Sequence, residues 1–318
     1  MDIRNIRNRA ARPLALALGL CLFAGGAHAQ QPAGAGAAPT TAPPTELPAG
    51  LPAYGEDKPL PALGLVEHRL ANGLTVWVLP RTGGLPRVDY VLAVRGGLAS
   101  DPAQLPGMSN LLASLMREGT ATRSSVQIAE QLQTLGAEMG AQASNDGLFV
   151  SASGLSASAE PLAALFADVV RNPAFPENEV QLAKTNALQG LKAMQAQPGY
   201  QANRAMGRVL FGTHPYGNTL PTEAAINGTD IAGLRAAHAA RFRPDHALLV
   251  IAGPVQADAA KALAESMFGD WTGSGDPIAE VAAPDYPKGP QFVLVPRSGS
   301  VQSAVRIGRP AFDADDDR

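Results

Sequence analysis

The chain is almost free of cysteine. Its 318 residues contain only Cys21, which lies in an apolar run behind four arginines near the N-terminus. The run is followed by Ala27-His28-Ala29, the small-x-small pattern at which secretory signal peptides are cut. We therefore expect residues 1–29 to be removed as a signal peptide, together with the cysteine. Disulfides and thiol catalysis are then excluded, and the hydrophobic core must hold the fold.

Long apolar runs and excess basic charge are lacking as well. After the signal peptide, no segment reaches the roughly 18 consecutive apolar residues of a membrane-spanning helix, so we expect no membrane span. Without residues 1–29 the chain has 21 basic and 27 acidic side chains, a net charge of −6. This balance argues against nucleic acid as a partner. The signal peptide predicts a protein of the periplasm or a secreted protein.

Proline and glycine are abundant, with 27 and 33 residues, and both are frequent in the segment that follows the signal peptide. Residues 30–64 are rich in Ala, Pro, Thr and Gly and carry no apolar periodicity, which predicts a disordered linker. A proline-rich recognition segment is the alternative. It is less favoured because no P-x-x-P pattern repeats with basic flanks.

Residues 65–275 show the patterns of a folded domain. Asn72-Gly73 and Asn145-Asp146-Gly147 predict hairpins. Ser124 with Gln127 predicts a capping box, and Asp230 predicts a helix cap. Strands are predicted at 66–70, 74–80, 87–94, 148–153 and 247–252, and helices at 107–118, 126–135, 159–170, 177–195, 200–211, 231–242 and 257–268. The pattern predicts an α+β fold, a mostly antiparallel sheet covered on one face by helices.

A weak internal repeat suggests a second domain of the same type. Residues 76–83 (VWVLPRTG) are echoed by residues 292–299 (FVLVPRSG), and a strand-like run follows each copy. Chance similarity of two Val- and Leu-rich strands is the simpler explanation. The position of the second copy behind a proline-bearing linker, 276–290, favours repetition. We predict that residues 291–318 are the truncated start of a second similar domain in a fragment of a longer protein.

The helix at 107–118 has a polar face that decides the question of function. Its apolar residues recur at helical spacing and predict a core-facing stripe. The opposite stripe carries Asn110, Ala113, Ser114 and Arg117. A small or polar face of this kind, on a helix that otherwise packs on a core, is a candidate functional surface.

The chain resembles the pitrilysin/insulinase family of zinc peptidases, the group with H-x-x-E-H on a helix. The resemblance covers about residues 65–308. It rests on the following pieces in this order: Leu-Ala-Asn-Gly-Leu-Thr-Val at 70–76, Arg-Gly-Gly at 95–97, the helix from Gly107 to Glu-Gly-Thr at 118–120, Gly-Thr-His-Pro-Tyr-Gly at 212–217, Arg-Phe-Arg-Pro-Asp at 241–245, and the strand at 248–253.

The resemblance places the catalytic positions on Asn110, Ala113 and Ser114, where active members have histidine, glutamate and histidine. Two neutral imidazoles one turn apart bind the zinc ion, and the carboxylate is the general base for metal-bound water. None of these groups is present here. The family's third ligand, a glutamate, should lie in the middle of 177–195, where the chain has Asn186, Gln189 and Gly190. We therefore expect no metal and no other cofactor in this chain.

Other routes to catalysis have little support in the sequence. Beyond the predicted signal peptide, the histidines lie at 68, 214, 238 and 246, and no two of them are four residues apart on one helix. His214-Pro215-Tyr216-Gly217 is interpreted as a structural turn. There is no G-x-S-x-G nucleophile pattern and no glycine-rich phosphate loop with its lysine.

The resemblance implies a non-catalytic subunit that pairs with a zinc-bearing relative and forms part of the wall of a peptide chamber, a pseudoenzyme within a heterodimer. A peptide substrate is possible, and zinc is expected only in the partner. Two alternatives stay open: a purely structural homologue without a peptidase partner, and a zinc metalloendopeptidase that acts through an unrecognised site.

Overall fold

The structure is a computed structural model and describes residues 64–81, 83–273, 276 and 278–311. The predicted signal peptide and nearly all of the predicted linker at 30–64 lie outside the described residues.

A six-stranded sheet is the centre of the fold, with the strand order β1-β2-β6-β3-β5-β4. The strands are β1 (Val66–Arg69), β2 (Thr75–Pro80), β3 (Arg87–Arg95), β4 (Glu138–Ala143), β5 (Gly147–Leu155) and β6 (Ala247–Gly253). Neighbouring strands are antiparallel except β2 and β6, which are parallel. The predicted α+β class with a mostly antiparallel sheet is confirmed.

The helices lie between β3 and β4, between β5 and β6, and after β6. They are α1 (Met108–Leu115), α2 (Ser125–Thr134), α3 (Ala159–Arg171), α4 (Glu177–Gln195), α5 (Pro198–Phe211), α6 (Glu223–Gly228), α7 (Ile231–Arg241) and α8 (Ala257–Phe268). Within the described ranges, no helix is long and apolar enough to cross a membrane. The sequence patterns did not predict α6, and they extended α1 beyond its observed ends.

Local sequence signals explain why the elements begin and end where they do. The capping box is formed: the Ser124 backbone N–H donates to Gln127 Oε1 (2.9 Å), and the Gln127 N–H donates to Ser124 Oγ (3.3 Å). The Asp230 carboxylate accepts the Gly233 N–H at the start of α7 (2.7 Å). Gly73, at φ 93°, makes the turn between β1 and β2. These predicted signals are confirmed.

The core lies between one face of the sheet and the helices. Val88, Tyr90 and Leu92 alternate along β3 and are completely buried, whereas the residues between them are partly exposed. The Phe166 ring of α3 lies 6.0 Å from the Tyr90 ring and 6.3 Å from the Phe268 ring of α8, measured between centroids. One buried and one partly exposed face are what an antiparallel sheet covered on one side requires.

The strand-like runs of the apparent second repeat do not form strands within the described residues. Residues 278–311 contain no helix or strand. Phe292, Val301 and Ile307 are 90%, 99% and 94% exposed, so their apolar side chains contact almost nothing. A strand requires a neighbour for its backbone hydrogen bonds. The sequence at 291–308 has strand propensity, but within the described residues it pairs with neither β1 nor β4, the two edge strands of the sheet.

His238 of α7 lies partly buried between aromatic rings and is held in its neutral form. Its ring stacks on Phe242 with 4.5 Å between centroids and meets the edge of Phe175. Nε2 donates to the Val170 carbonyl oxygen (2.8 Å). Burial lowers the pKa of His238 from 6.5 to about 4, because the imidazolium ion would lose its hydration there.

We expect His238 to make the protein less stable in acid. The unfolded chain takes up a proton near pH 6.5 and the folded chain only near pH 4, so the free energy of unfolding falls as the pH drops through that window. The loss reaches roughly 3 kcal/mol at the acidic end, from about 1.4 kcal/mol per pKa unit. Urea unfolding of wild type and His238→Gln at several pH values measures it. The variant should lose most of this pH dependence, the control His246→Gln should keep it, and equal slopes in wild type and His238→Gln would contradict the assignment.

Candidate functional site

A buried ion pair fixes the N-terminus of α1. The Asp101 carboxylate accepts the backbone N–H and the hydroxyl of Ser109 in the first turn of the helix (3.1 and 2.6 Å). Arg241, at the end of α7, donates from Nη2 to Asp101 Oδ1 (3.1 Å), and both side chains are only 2% exposed. A carboxylate at this end of a helix also compensates the helix dipole.

The guanidinium of Arg241 joins three parts of the chain at this point. Nε donates to the Gly96 carbonyl oxygen behind β3 (2.7 Å), Nη1 to Ala237 O (3.2 Å) and Nη2 to Ser100 O (3.1 Å). Burial raises the pKa of Asp101 and lowers the pKa of Arg241, because both ions have left water. The hydrogen bonds offset this desolvation, so that α1, α7 and the end of β3 are held in one arrangement.

A cleft opens between α1 and α4, and it contains most of the residues that the sequence marked as candidates. Its volume is about 450 Å³. Asn110 and Ser114 line it from α1, and Asn186 and Gly190 line it from α4. Pro221 and Ile226 line it as well. The fold thus brings the degenerate ligand positions of two distant segments to one site, as the resemblance implied.

Three of the candidate residues lie elsewhere. Ala113 is 4% exposed and belongs to the hydrophobic core. The four residues predicted to share one polar face of this helix therefore do not all face the cleft. Arg117, also predicted on that face, donates from Nη1 to the Met139 carbonyl oxygen of β4 (2.8 Å). Gln189 is exposed and is not among the residues that line the cleft. Asn110 and Ser114, one helical turn apart, face the cleft, whereas Ala113 and Arg117 lie on the neighbouring stripe and do not line it.

The donor groups in the cleft do not fit a zinc ion. The Ser114 hydroxyl donates to the Leu111 carbonyl oxygen one turn earlier (2.8 Å), and Gly190 has no side chain to offer. Structural and catalytic zinc sites use thiolate, imidazole and carboxylate ligands. Across the described residues, no three His, Cys, Asp or Glu side chains are grouped so as to hold a metal ion.

His214 forms the structural turn that its sequence predicted. Its Nδ1 accepts the Tyr216 backbone N–H (3.2 Å), and Nε2 lies 2.7 Å from the Ala282 carbonyl oxygen. The Tyr216 hydroxyl donates to the carboxylate of Asp146 in the turn between β4 and β5. The motif therefore joins a loop to a hairpin and to the segment that follows α8.

Sequence reasoning missed two carboxylates in the cleft. Glu118 follows the last residue of α1 by three positions, and Glu179 lies in the first turn of α4. Both residues are half-buried and line the cleft. Burial is the main cause of a raised pKa of Glu118, the charge of Glu179 adds to it, and the charge of Arg117 opposes it. The two residues are 61 positions apart, so no spacing rule could have paired them.

Comparison with known proteins agrees with this architecture. The sequence profile described as insulinase (peptidase family M16) matches residues 78–222, and the profile described as peptidase M16 inactive domain matches residues 230–318. The chain belongs to peptidase family M16, the insulinase family. The first matched range includes α1, the helix that should carry the zinc ligands. The second includes α7, β6 and α8.

Curated relatives of this M16 chain include proteins named as zinc proteases and a protein named as a non-peptidase homolog. It is 26% identical over 219 residues to an uncharacterized zinc protease of Mycobacterium leprae, covering 65% of this chain and 49% of that protein. It is 25% identical over 196 residues to the non-peptidase homolog YmxG of Helicobacter pylori, covering 61% of this chain and 45% of the relative. The chain thus spans about half the length of the curated relatives it matches.

Among solved structures, the M16 chain is similar to a peptidase M16 inactive domain from Pseudomonas fluorescens. The TM-score is 0.66 and the identity 28%, and the alignment covers 71% of this chain and 55% of that one. The similarity extends over most of the described residues.

We expect Arg241→Met to lower the free energy of unfolding by about 3–5 kcal/mol, because it leaves the Asp101 carboxylate buried without its counter-ion. Arg235→Ala is the matched control: Arg235 lies on the same helix, is exposed and donates to Ala174 O (3.2 Å). It should cost less than about 1 kcal/mol. Urea unfolding measures both. The double variant Asp101→Asn/Arg241→Met should recover part of the loss, and a wild-type midpoint for Arg241→Met would refute the role of the pair.

The cleft also predicts how a zinc site could be restored. We expect Asn110→His/Ser114→His/Gly190→Glu to bind one zinc ion per chain, because the three positions line one cleft and a Cβ at Gly190 meets no atom within 4 Å. Elemental analysis after dialysis and the visible spectrum of the cobalt form measure binding. The control Asn110→His/Ser114→His/Gln189→Glu places the carboxylate outside the cleft and should bind at least about tenfold more weakly. Equal binding by the two variants would contradict the geometry.

Proposed function

We propose that this protein is a non-catalytic subunit of an M16-type metallopeptidase complex, exported from the cytoplasm, which pairs with a zinc-bearing relative and supplies part of the wall of the peptide chamber. The observation that carries the proposal is an intact cleft at the catalytic position of the fold with Asn110, Ser114 and Gly190 where ligands are needed. The scaffold that positions the site is present and the reactive groups are not.

The replaced groups support loss of chemistry rather than a variant of it. Hydrolysis in this family requires a metal-bound water and a general base beside it. Ala113 has no group that could take up a proton, and it lies in the core. The Ser114 hydroxyl is already committed to the Leu111 carbonyl oxygen. A cleft of this composition can bind a ligand, but it lacks the residues that would hold the metal-bound water on which hydrolysis in this family depends.

The relatives support a non-catalytic role in the terms of their names. One is named a non-peptidase homolog, and the similar Pseudomonas fluorescens structure is described as an inactive domain. Other relatives are named zinc proteases, so the family contains both kinds. A ligand-less member gains a function in proteolysis only beside a member with ligands, and this is why the proposal includes a zinc-bearing partner.

Mixing tests the proposal. We expect the purified chain to contain no stoichiometric zinc and to leave an unstructured peptide intact, and we expect it to increase the hydrolysis of that peptide by a zinc-bearing M16 protein from the same organism. The activity should saturate at one chain per partner. The controls are the partner with an unrelated protein of equal size, and the chain with a partner whose catalytic glutamate is changed to glutamine.

The outcomes separate the alternatives. Stoichiometric zinc with turnover by the isolated chain would refute the proposal and favour an unrecognised peptidase site. No gain on mixing would refute the subunit role and favour a purely structural homologue. An increase in peptide hydrolysis that requires the partner's catalytic glutamate supports the proposed heterodimer.

A further inference from the structure

We infer that the cleft between α1 and α4 binds a lysine or arginine side chain of a peptide, with the apolar part of that side chain along the cleft wall and its cationic group between Glu118 and Glu179. This inference rests on the proposed function, because it names the kind of peptide that the ligand-less cleft would hold.

The walls of the cleft are apolar and partly uncovered. Leu111, Ala183, Ala187 and Ile226 line it, together with Leu182. Leu182 is 55% exposed although it is a large apolar side chain, and Met194, at the other end of α4, is 39% exposed. Water-exposed apolar side chains around a concave surface gain free energy when an apolar group covers them. The four methylenes of a lysine, or the three of an arginine, are such a group.

One end of the cleft carries two negative charges without a counter-ion. In the part of the chain that the structure describes, neither Glu118 nor Glu179 forms an ion pair. Glu179 accepts only from Ser125 Oγ (3.4 Å) and Asn178 Nδ2 (3.1 Å). Two half-buried carboxylates repel each other and lose hydration, and a cation placed between them relieves both costs.

The neighbouring cations of the chain are committed elsewhere. Arg117 donates to the Met139 carbonyl oxygen on the side of the sheet (2.8 Å). Lys184 donates from Nζ to the carbonyl oxygens of Asn227 and Thr229 at the end of α6 (2.8 and 2.9 Å). Among the described residues, these two neighbouring cations are therefore held by carbonyl oxygens, and a cation of another molecule would complement Glu118 and Glu179.

The shape and donor set favour a cationic side chain over a metal ion. Calcium requires six to eight oxygen ligands and magnesium an octahedral shell. The acidic end offers two carboxylates, and apolar side chains line much of the remaining wall beside Asn110, Ser114 and Asn186. A lysine or arginine side chain carries its charge at the end of an apolar stem, so it matches both parts at once.

Peptide binding to the isolated full chain tests the inference. The probe is a fluorophore-labelled, acetylated and amidated hexapeptide with one lysine among alanines, and the comparison peptide has norleucine in place of lysine. Norleucine keeps the apolar stem and removes the charge. We expect the lysine peptide to bind at least about tenfold more tightly by fluorescence anisotropy at low salt, and the difference to shrink as salt is added.

Three variants assign the effect to the cleft. Glu118→Gln/Glu179→Gln should abolish the preference for lysine. Gly190→Phe should weaken both peptides, because its ring enters the cleft from a position where a Cβ meets no atom within 4 Å. Glu177→Gln is the matched control: it removes an acidic residue from the same turn of α4, but Glu177 does not line the cleft. Circular dichroism and the melting temperature confirm that each variant is folded.

Equal affinity for the two peptides, or an unchanged lysine preference in Glu118→Gln/Glu179→Gln, would overturn the inference. The mixing experiment separates this failure from failure of the proposed function. If wild type increases the partner's hydrolysis on mixing but binds the two peptides with equal affinity, the inference fails and the subunit role stands. If wild type itself gives no increase on mixing, the subunit role fails whatever the peptide affinities are.

Discussion

The ion pair between Asp101 and Arg241 is the constraint on which the site depends. It holds the first turn of α1 against the end of β3 and the end of α7, and both side chains are buried. Gly107 precedes that turn with φ 86°, and a Cβ there would lie 2.8 Å from Pro221. The helix start therefore has almost no freedom to shift, and the cleft-facing side of α1 stays opposite α4.

This arrangement explains how the cleft can persist without the groups that would make it catalytic. The residues that position α1 are buried, so changing them costs stability. Asn110, Ser114 and Gly190 face the cleft and are exposed. Exposed positions on a helix tolerate many side chains at little cost, so the ligand positions can change while the scaffold is kept. Ala113 differs, because its small side chain suits the core position that it occupies.

The sequence predicted those parts of the fold that depend on neighbouring residues. Helix periodicity, the capping box at Ser124 and the turn at Asn72-Gly73 act within a few positions, and the structure has them. Parallel pairing of β2 with β6 joins segments about 170 positions apart, so periodicity gave no sign of it. The strand-like runs at 291–308 have suitable local propensity, but within the described residues they pair with neither edge strand of the sheet, β1 or β4.

The same distinction between local sequence signals and contacts of distant segments applies to the residues of the cleft. Asn110 and Ser114 were found because H-x-x-E-H is a local spacing on one helix, and its replacement is visible residue by residue. Glu118 and Glu179 carry no such spacing, and each by itself is an ordinary helix-end glutamate. They become a site only because α1 and α4 pack side by side and leave both carboxylates at one end of an apolar cleft. The cleft lacks the residues that would hold a metal cation, so these two carboxylates are the charged side chains that line it.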